Sequence, residues 1–190
     1  IIAAIAGIES NYGANMGQHL TLRVLVTLAF DYPRRSQFFQ RQLAEFFRLC
    51  FSQGLDPMLV KGSAAGAVGM GQFIPTSYRD FAVDGDGDDR IDLFHSKADN
   101  IASIANYLAR HKWQEGAPWL LVVDTEVDPL WVSKKAKRQG VELAEWQRRG
   151  VTMPGSYDPE AEFNLYAFST EKDREYRLAG ANFYAITRYN

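Results

Sequence analysis

The chain is poor in several features that would quickly identify a protein. It has one cysteine, Cys50, in 190 residues. That excludes an internal disulfide framework and any zinc or iron–sulfur site built from several cysteines, and it leaves the compartment open. It has no surplus of charge: 21 basic against 23 acidic side chains leave −2. A protein that grips nucleic-acid phosphates needs a counterion-releasing excess of Lys and Arg, so that class is excluded. It also has no apolar run near the roughly 18 residues that span a bilayer; the longest are residues 1–8 and 24–30. The first looks like the apolar part of a signal peptide but lacks a basic lead-in and a cleavage site, and runs straight into Glu9. Ile1 already stands inside a helical pattern and Asn190 ends in no evident cap. The chain therefore reads as part of a longer one, with a targeting segment or lipid anchor out of view.

What is present is globular. Apolar residues make up 46% and charged residues 23%, which excludes a disordered chain. Aromatics at 13% suffice for a core and a binding groove. Ile1, Ile5 and Ile8 share one helical face, Glu9 lies one turn past Ile5, and Gly13 ends the pattern. Residues 20–30 read as a second, largely buried helix. Residues 36–53 read as a third, with Phe39, Leu43, Phe46, Phe47 and Cys50 at helical spacing, stopped by Gly54. Asp56-Pro57 opens a short fourth, with Pro57 at its first position. Residues 100–112 form another, with Ile101, Ile104, Ala105 and Leu108 on its apolar face. Beyond Trp113, Gly and Pro punctuate shorter elements. Residues 162–169 alternate as a strand, with Phe163, Leu165 and Ala167 on one side and a hairpin partner at 176–178. The expectation is an α+β protein. It has a mainly helical body over 1–113, with an acidic loop at 84–95, then a small mixed subdomain over 114–175. A terminal segment, 176–190, returns to the body.

Three stretches carry chemistry. In the first, residues 7–13 (Gly-Ile-Glu-Ser-Asn-Tyr-Gly), Glu9 continues an apolar stripe. Burial there would raise its pKa, as a general acid near neutrality needs; the plainer alternative is a helix-end glutamate turned to solvent. In the second, residues 62–78, glycines let the backbone approach a ligand or a neighbouring helix closely. No Gly-Lys-Ser/Thr follows, so it is not a phosphate loop. Ser63 and Gln72 offer neutral hydrogen-bonding groups, and Phe73 and Tyr78 offer flat faces, the groups that bind sugars; tight packing of small residues is the alternative. In the third, residues 84–92, carboxylates at relative positions 1, 3, 5 and 9 and a carbonyl at Arg90 follow the calcium loop of an EF-hand. It is atypical: position 6 is Asp89 instead of glycine, and position 12 is His95, a poor ligand for a hard cation. Asp99, one turn beyond His95, could reach in instead, and a solvated acidic turn is the alternative. His19, His95 and His111 have no metal-ligand spacing, no Gly-x-Ser-x-Gly elbow occurs, and Cys50 reads as an inert buried thiol. The basic residues between Lys134 and Arg149 are interleaved with Glu142 and Glu145, as on a solvated helix face.

In this order the motifs resemble the membrane-bound lytic murein transglycosylase B family, including its soluble form. Matching stretches are residues 7–13, 28–34, 54–57, 62–78, 82–93, 104–108 and 182–190; residues 117–175 match least. The resemblance implies a lysozyme-like α+β core that cleaves the β-1,4 bond between N-acetylmuramic acid and N-acetylglucosamine in peptidoglycan. It makes Glu9 the sole catalytic carboxyl, first general acid and then base on the muramic acid C6 hydroxyl, which closes onto C1 to leave a 1,6-anhydro end. Ser63, Gln72, Phe73, Tyr107, Tyr184 and Tyr189 would line the saccharide groove, with Asn190 beside them. Asp84, Asp86, Asp88, Arg90 and Asp92 would hold a structural Ca²⁺, and catalysis would need no cofactor. The implied partners are peptidoglycan glycan strands, not nucleic acid, with a membrane reached only through an anchor outside this chain. A monomer in the periplasm of a Gram-negative bacterium, outer-membrane-anchored in the full-length protein, is expected. Two other readings stay open at this point. One is a hydrolytic muramidase, which needs a second carboxylate; the other is a non-catalytic, calcium-stabilised module that binds peptidoglycan.

Overall fold

The computed structural model describes residues 1–169 and 174–189. The chain divides into two compact units, residues 1–107 and 108–190. In the first, α1 (Ile2–Ser10) leads to β1 (His19–Leu20), α2 (Thr21–Phe30), α3 (Ser36–Gln53), β2 (Lys61–Gly62), α4 (Pro75–Phe81) and α5 (Lys97–Arg110). Strands β1 and β2 pair antiparallel, His19 opposite Gly62.

Helix α1 ends where residues 7–13 predict, because Asn11, Tyr12 and Gly13 all take positive φ of 50°, 57° and 91°. The Asn11 and Tyr12 amides then bond back to Gly7 and Ala6 O, closing the helix with a left-handed cap. Its buried side carries Ile5 and Ser10, while Ile8 is 84% exposed; the apolar stripe does not continue through Ile8. Helix α2 is likewise less buried than its composition suggests. Thr21, Leu25 and Ala29 face the core, whereas Val26 and Phe30 are exposed. Helix α3 stops at Gly54, whose φ is 63°.

No helix follows Asp56-Pro57. The segment is a single turn, closed by the Met58 amide on Asp56 Oδ1 (2.9 Å) and the Leu59 amide on Asp56 O (3.0 Å). The aspartate side chain satisfies the first amide locally and β2 begins too soon for a helix to propagate. Buried polar groups tie α3 to the start of α4. Gln42 Oε1 accepts from the Thr76 amide and hydroxyl, each at 3.0 Å, and Glu45 is ion-paired with Arg48 and with Arg79 at 2.7 Å. Cys50 is buried and its thiol is pushed up to about 11 by that burial, with Asp56 adding to it.

In the second unit, β3 (Leu120–Val122), β4 (Val141–Glu142), α6 (Leu143–Arg148), β5 (Glu162–Ser169), β6 (Arg174–Ala179) and α7 (Ala181–Thr187) follow. The sheet is antiparallel in the order β3-β6-β5-β4, with Leu165 opposite Leu178. Phe163 and Leu165 are buried as the alternation predicts, packing with Leu121, Leu143, Trp146, Val151 and Leu178. Asn164 and Tyr166 are buried too. They serve the opposite face of β5, where Asn164 Nδ2 donates to Gln139 O (3.0 Å) and the Tyr166 hydroxyl to Lys135 O (3.1 Å).

The two units divide after residue 107, and residues 176–190 group with the second, where β6 lies between β3 and β5 in the sheet. Asn182, 1% exposed, joins α7 to residues 114–117, accepting from the Gln114 amide and donating to Gln114 O and Ala117 O. Among the described residues no helix is long and apolar enough to cross a membrane.

Candidate active site

Glu9 is half-buried at the end of α1, and its neighbour Ser10 fixes that end against the glycine-rich loop. The Ser10 hydroxyl donates to Met70 O at 2.6 Å and accepts from the Gly13 amide at 2.8 Å. The carboxyl-bearing turn and residues 62–73 are therefore one hydrogen-bonded body. Val68 and Phe73 form a bridge that closes a tight turn over 69–72. In it Gln72 takes a φ of 50°, and its Nε2 donates to Gly69 O at 2.9 Å and to Met16 O at 3.0 Å. Both of its donor hydrogens are committed, so its amide offers a ligand an acceptor, Oε1. Ser63 is the complement. Its Oγ accepts from the Ala65 and Ala67 amides at 3.2 and 3.1 Å, which leaves the hydroxyl proton to donate. One donor and one acceptor in the same loop match the C=O and N–H of an acetamido group.

Phe73 and Tyr107 are 2% and 4% exposed. Their rings lie 6.1 Å apart, and Tyr107 packs edge-on against Phe81 at 4.7 Å. They form packing beneath the loop more than an open stacking face. Tyr78 is buried as well, its hydroxyl donating to Ile91 O at 2.6 Å. Tyr184 on α7 and Tyr189 just beyond it are half-buried residues of the second unit; Asn190 lies outside the described residues. Tyr12, three residues after Glu9 in the same seven-residue motif, is an exposed aromatic to which spacing alone gives no separate role.

In the acidic loop, Asp84 and Asp86 of the EF-hand-spaced residues stand with Asp99. Carboxylate oxygens of Asp84, Asp86 and Asp99 lie within 4.8 Å of one another. Asp99 is 1% exposed and accepts from the Gly85 amide at 2.8 Å and the Asp92 amide at 2.6 Å. Asp84 accepts from the Gly87 amide at 2.6 Å and from the Asp89 and Asp86 amides. These bonds, Gly87 foremost, hold its carboxyl below the usual range. Asp92 turns elsewhere, capping the next turn through the Phe94 and His95 amides and the His95 ring. Asp88 accepts from the Arg90 amide. Asp89 takes a φ of 65°, so an aspartate supplies the left-handed turn that glycine supplies in other loops. Three carboxylates, one of them buried, offer part of the six to eight oxygens that a calcium ion takes, and the two amides on Asp99 already offset part of the cost of burying its charge. The signal for Asp99 was its place one turn after His95.

Residues 1–190 match the family described as the transglycosylase SLT domain. Membrane-bound lytic murein transglycosylase B of Escherichia coli (strain K12) is 36% identical over 190 residues, all of this chain and 52% of that protein. The chain thus spans about half the length of the curated relative it matches. The E. coli lytic transglycosylase Slt35 in complex with calcium has a TM-score of 0.88 and 33% identity, over all of this chain and 59% of that one. SltB3 from Pseudomonas aeruginosa in complex with NAG-NAM-pentapeptide gives 0.86 and 34%, over all of this chain and 51% of that one. The fold is therefore the lysozyme-like α+β fold of those structures.

Proposed function

Because the chain belongs to the transglycosylase SLT domain family, we propose that it cleaves the β-1,4 bond between N-acetylmuramic acid and N-acetylglucosamine in peptidoglycan. The observation that carries this is Glu9, held at the end of α1 by the Ser10–Met70 bond against the loop that presents Ser63 and Gln72. Glu9 gives its proton to the glycosidic oxygen as the C1–O bond breaks, and the substrate's own N-acetyl group stabilises the cationic centre. The Glu9 carboxylate then takes the proton of the C6 hydroxyl while that oxygen bonds to C1. The acid is regenerated, every atom of the substrate stays in the two products, and no water enters.

Hydrolysis would call for a second carboxylate across the bond. Glu45 and Asp80 are engaged by Arg79, Asp92 by His95, and Asp84, Asp86 and Asp99 lie together in the acidic loop; Asp56 is in no ion pair among the described residues, so the products decide between the two routes. Mass spectrometry of the released fragments tests the single-carboxyl route. Glycan ends lighter by one water than hydrolysis gives are expected; ordinary reducing ends would replace the proposal with a muramidase. The same reading is of a periplasmic protein of a Gram-negative bacterium, supported by the similarity to a membrane-bound murein transglycosylase of Escherichia coli.

We propose further that Asp84, Asp86 and Asp99 hold a structural calcium ion, in line with the calcium complex of Slt35. The ion would tie the loop to α5 and take no part in the chemistry. Calcium at a hundredfold excess over its Kd should stabilise the fold by about 2.7 kcal/mol, a rise in thermal midpoint of roughly 5–11 °C for a protein of this size. A chelator should reverse it and Asp99→Asn should abolish it; no shift with calcium would refute the site. Since Asp84 is held below its ordinary pKa, its own contribution to stability is complete above that ordinary value. It is lost as pH falls through the depressed folded value, and the calcium shift should fade in the same direction.

A further inference from the structure

A cavity of about 550 Å³ opens beside the loop that follows Glu9, in the same unit. Three segments wall it: residues 13–17, residues 54–61 and the Phe94–His95 pair. The first wall is fixed, because the Gln72 side chain holds Met16 O and Ser10 holds the Gly13 amide. The second is fixed by the Asp56 turn and by β2. The lining is mixed in a particular way. Met16, Leu59 and Phe94 give it an apolar surface, while Lys61 and Asp56 supply one charge of each sign. Among the described residues neither charge is in an ion pair. The cavity therefore suits a short ligand that carries a carboxylate, an amine and aliphatic methylenes together.

We propose that this cavity receives the peptide stem of the glycan, a stem carboxylate meeting Lys61 and a stem amine meeting Asp56, with side-chain methylenes on Met16, Leu59 and Phe94. The inference rests on the reading of Glu9 as the glycan-cleaving acid, since Gly13 both lines the cavity and closes the turn after Glu9. A stem on the muramic acid held at Glu9 projects from the sugar ring, and SltB3 was crystallised with a saccharide carrying such a pentapeptide. Holding both charges would position the chain of sugars without touching the reacting atoms, so it acts on binding more than on the chemical step.

The test uses stem-bearing glycan chains and chains stripped of stems by an amidase, with Lys61→Met and Asp56→Asn as variants. The Asp56→Asn variant keeps an oxygen to accept the Met58 amide, and the Lys61 side chain is exposed, so both variants should keep the wild-type thermal midpoint. Each should raise KM on stem-bearing chains about tenfold, the loss of one charge-assisted hydrogen bond. The kcat should stay within about twofold, and neither constant should change on stripped chains. Equal effects on both substrates, or none on either, would overturn the proposal while leaving the role of Glu9 intact; a wild type that cleaves neither substrate would overturn both. Should the wild type act on stem-bearing chains alone, titration with a synthetic stem pentapeptide decides by NMR. Shifts confined to residues 13–17 and 54–61, and lost in Lys61→Met, support the site; shifts elsewhere or none overturn it.

Discussion

Glu9→Gln is expected to suppress fragment release from purified sacculi by a factor of about 10²–10⁴ or more, the range that a positioned general acid contributes. Glutamine keeps the volume and the hydrogen-bonding shape of the side chain but has no proton of suitable acidity. The proposed route uses this one carboxyl twice, as the acid that frees the leaving sugar and as the base that takes the C6 proton, so both steps fail together. Folding should survive. Glu9 sits at the C-terminal end of α1, where a negative charge opposes the helix dipole, and neutralising it is neutral or slightly favourable to stability. The measurement is fragment release alongside the thermal midpoint and sacculus binding. Lost release with retained binding and folding supports the assignment. Undiminished release would refute it and point to a binding module with a contaminating activity.

The second large effect is on the fold that holds this carboxyl in place. Gly17→Ala should destabilise the protein by about 3 kcal/mol or more, combining left-handed strain with overpacking. Gly17 has a φ of +97°, and a Cβ there would stand 2.1 Å from Gly62 O and 2.6 Å from the Ser63 amide nitrogen. Those atoms are backbone and cannot swing aside, so the loop carrying Ser63 must move. Gly54 is the control. Its φ is +63° and nothing lies within 4 Å of the Cβ position, so Gly54→Ala should cost only about 1 kcal/mol of strain. Thermal midpoints should fall by roughly 6–12 °C for Gly17→Ala and 2–4 °C for Gly54→Ala, and only the former should also lower activity. Equal losses at both positions would mean that the close approach at Gly17 is unimportant.

The contrast between those two glycines shows where reading the sequence stops. The stop of α3 at Gly54 and the end of α1 at Asn11–Gly13 are local events, set by backbone preferences within a few residues, and both are legible. So is the pairing of β5 with β6, because period-two alternation survives in any half-buried strand. The turn after Asp56 reads wrongly as a helix, since proline at a first helical position looks the same whether or not the chain goes on to propagate. Burial is less legible still. Ile8, Phe30 and Ile101 are apolar and exposed, while Asn100, Ser103 and Asp99 are polar and buried. Polar groups go inside here because they have specific bonds to make: Ser103 Oγ takes the Val83 amide, Asn100 Nδ2 reaches Leu93 O and Asp99 takes two loop amides.

The sequence by itself determined the order of the three chemical stretches, the residue types in each and the helices that bear them, because those follow from spacing along the chain. The tertiary structure decided what spacing cannot encode. It chose Asp99 over Asp92 to stand with Asp84 and Asp86, because Asp92 caps a neighbouring turn. It left Gln72 an acceptor and Ser63 a donor, because their other groups are already bonded to backbone. It also set residues 13–17 against residues 54–61 to form a mixed-charge cavity beside the turn that follows Glu9. Each of these outcomes depends on partners distant in sequence, and a hydrogen bond or a steric contact exists only once the chain has brought those partners together.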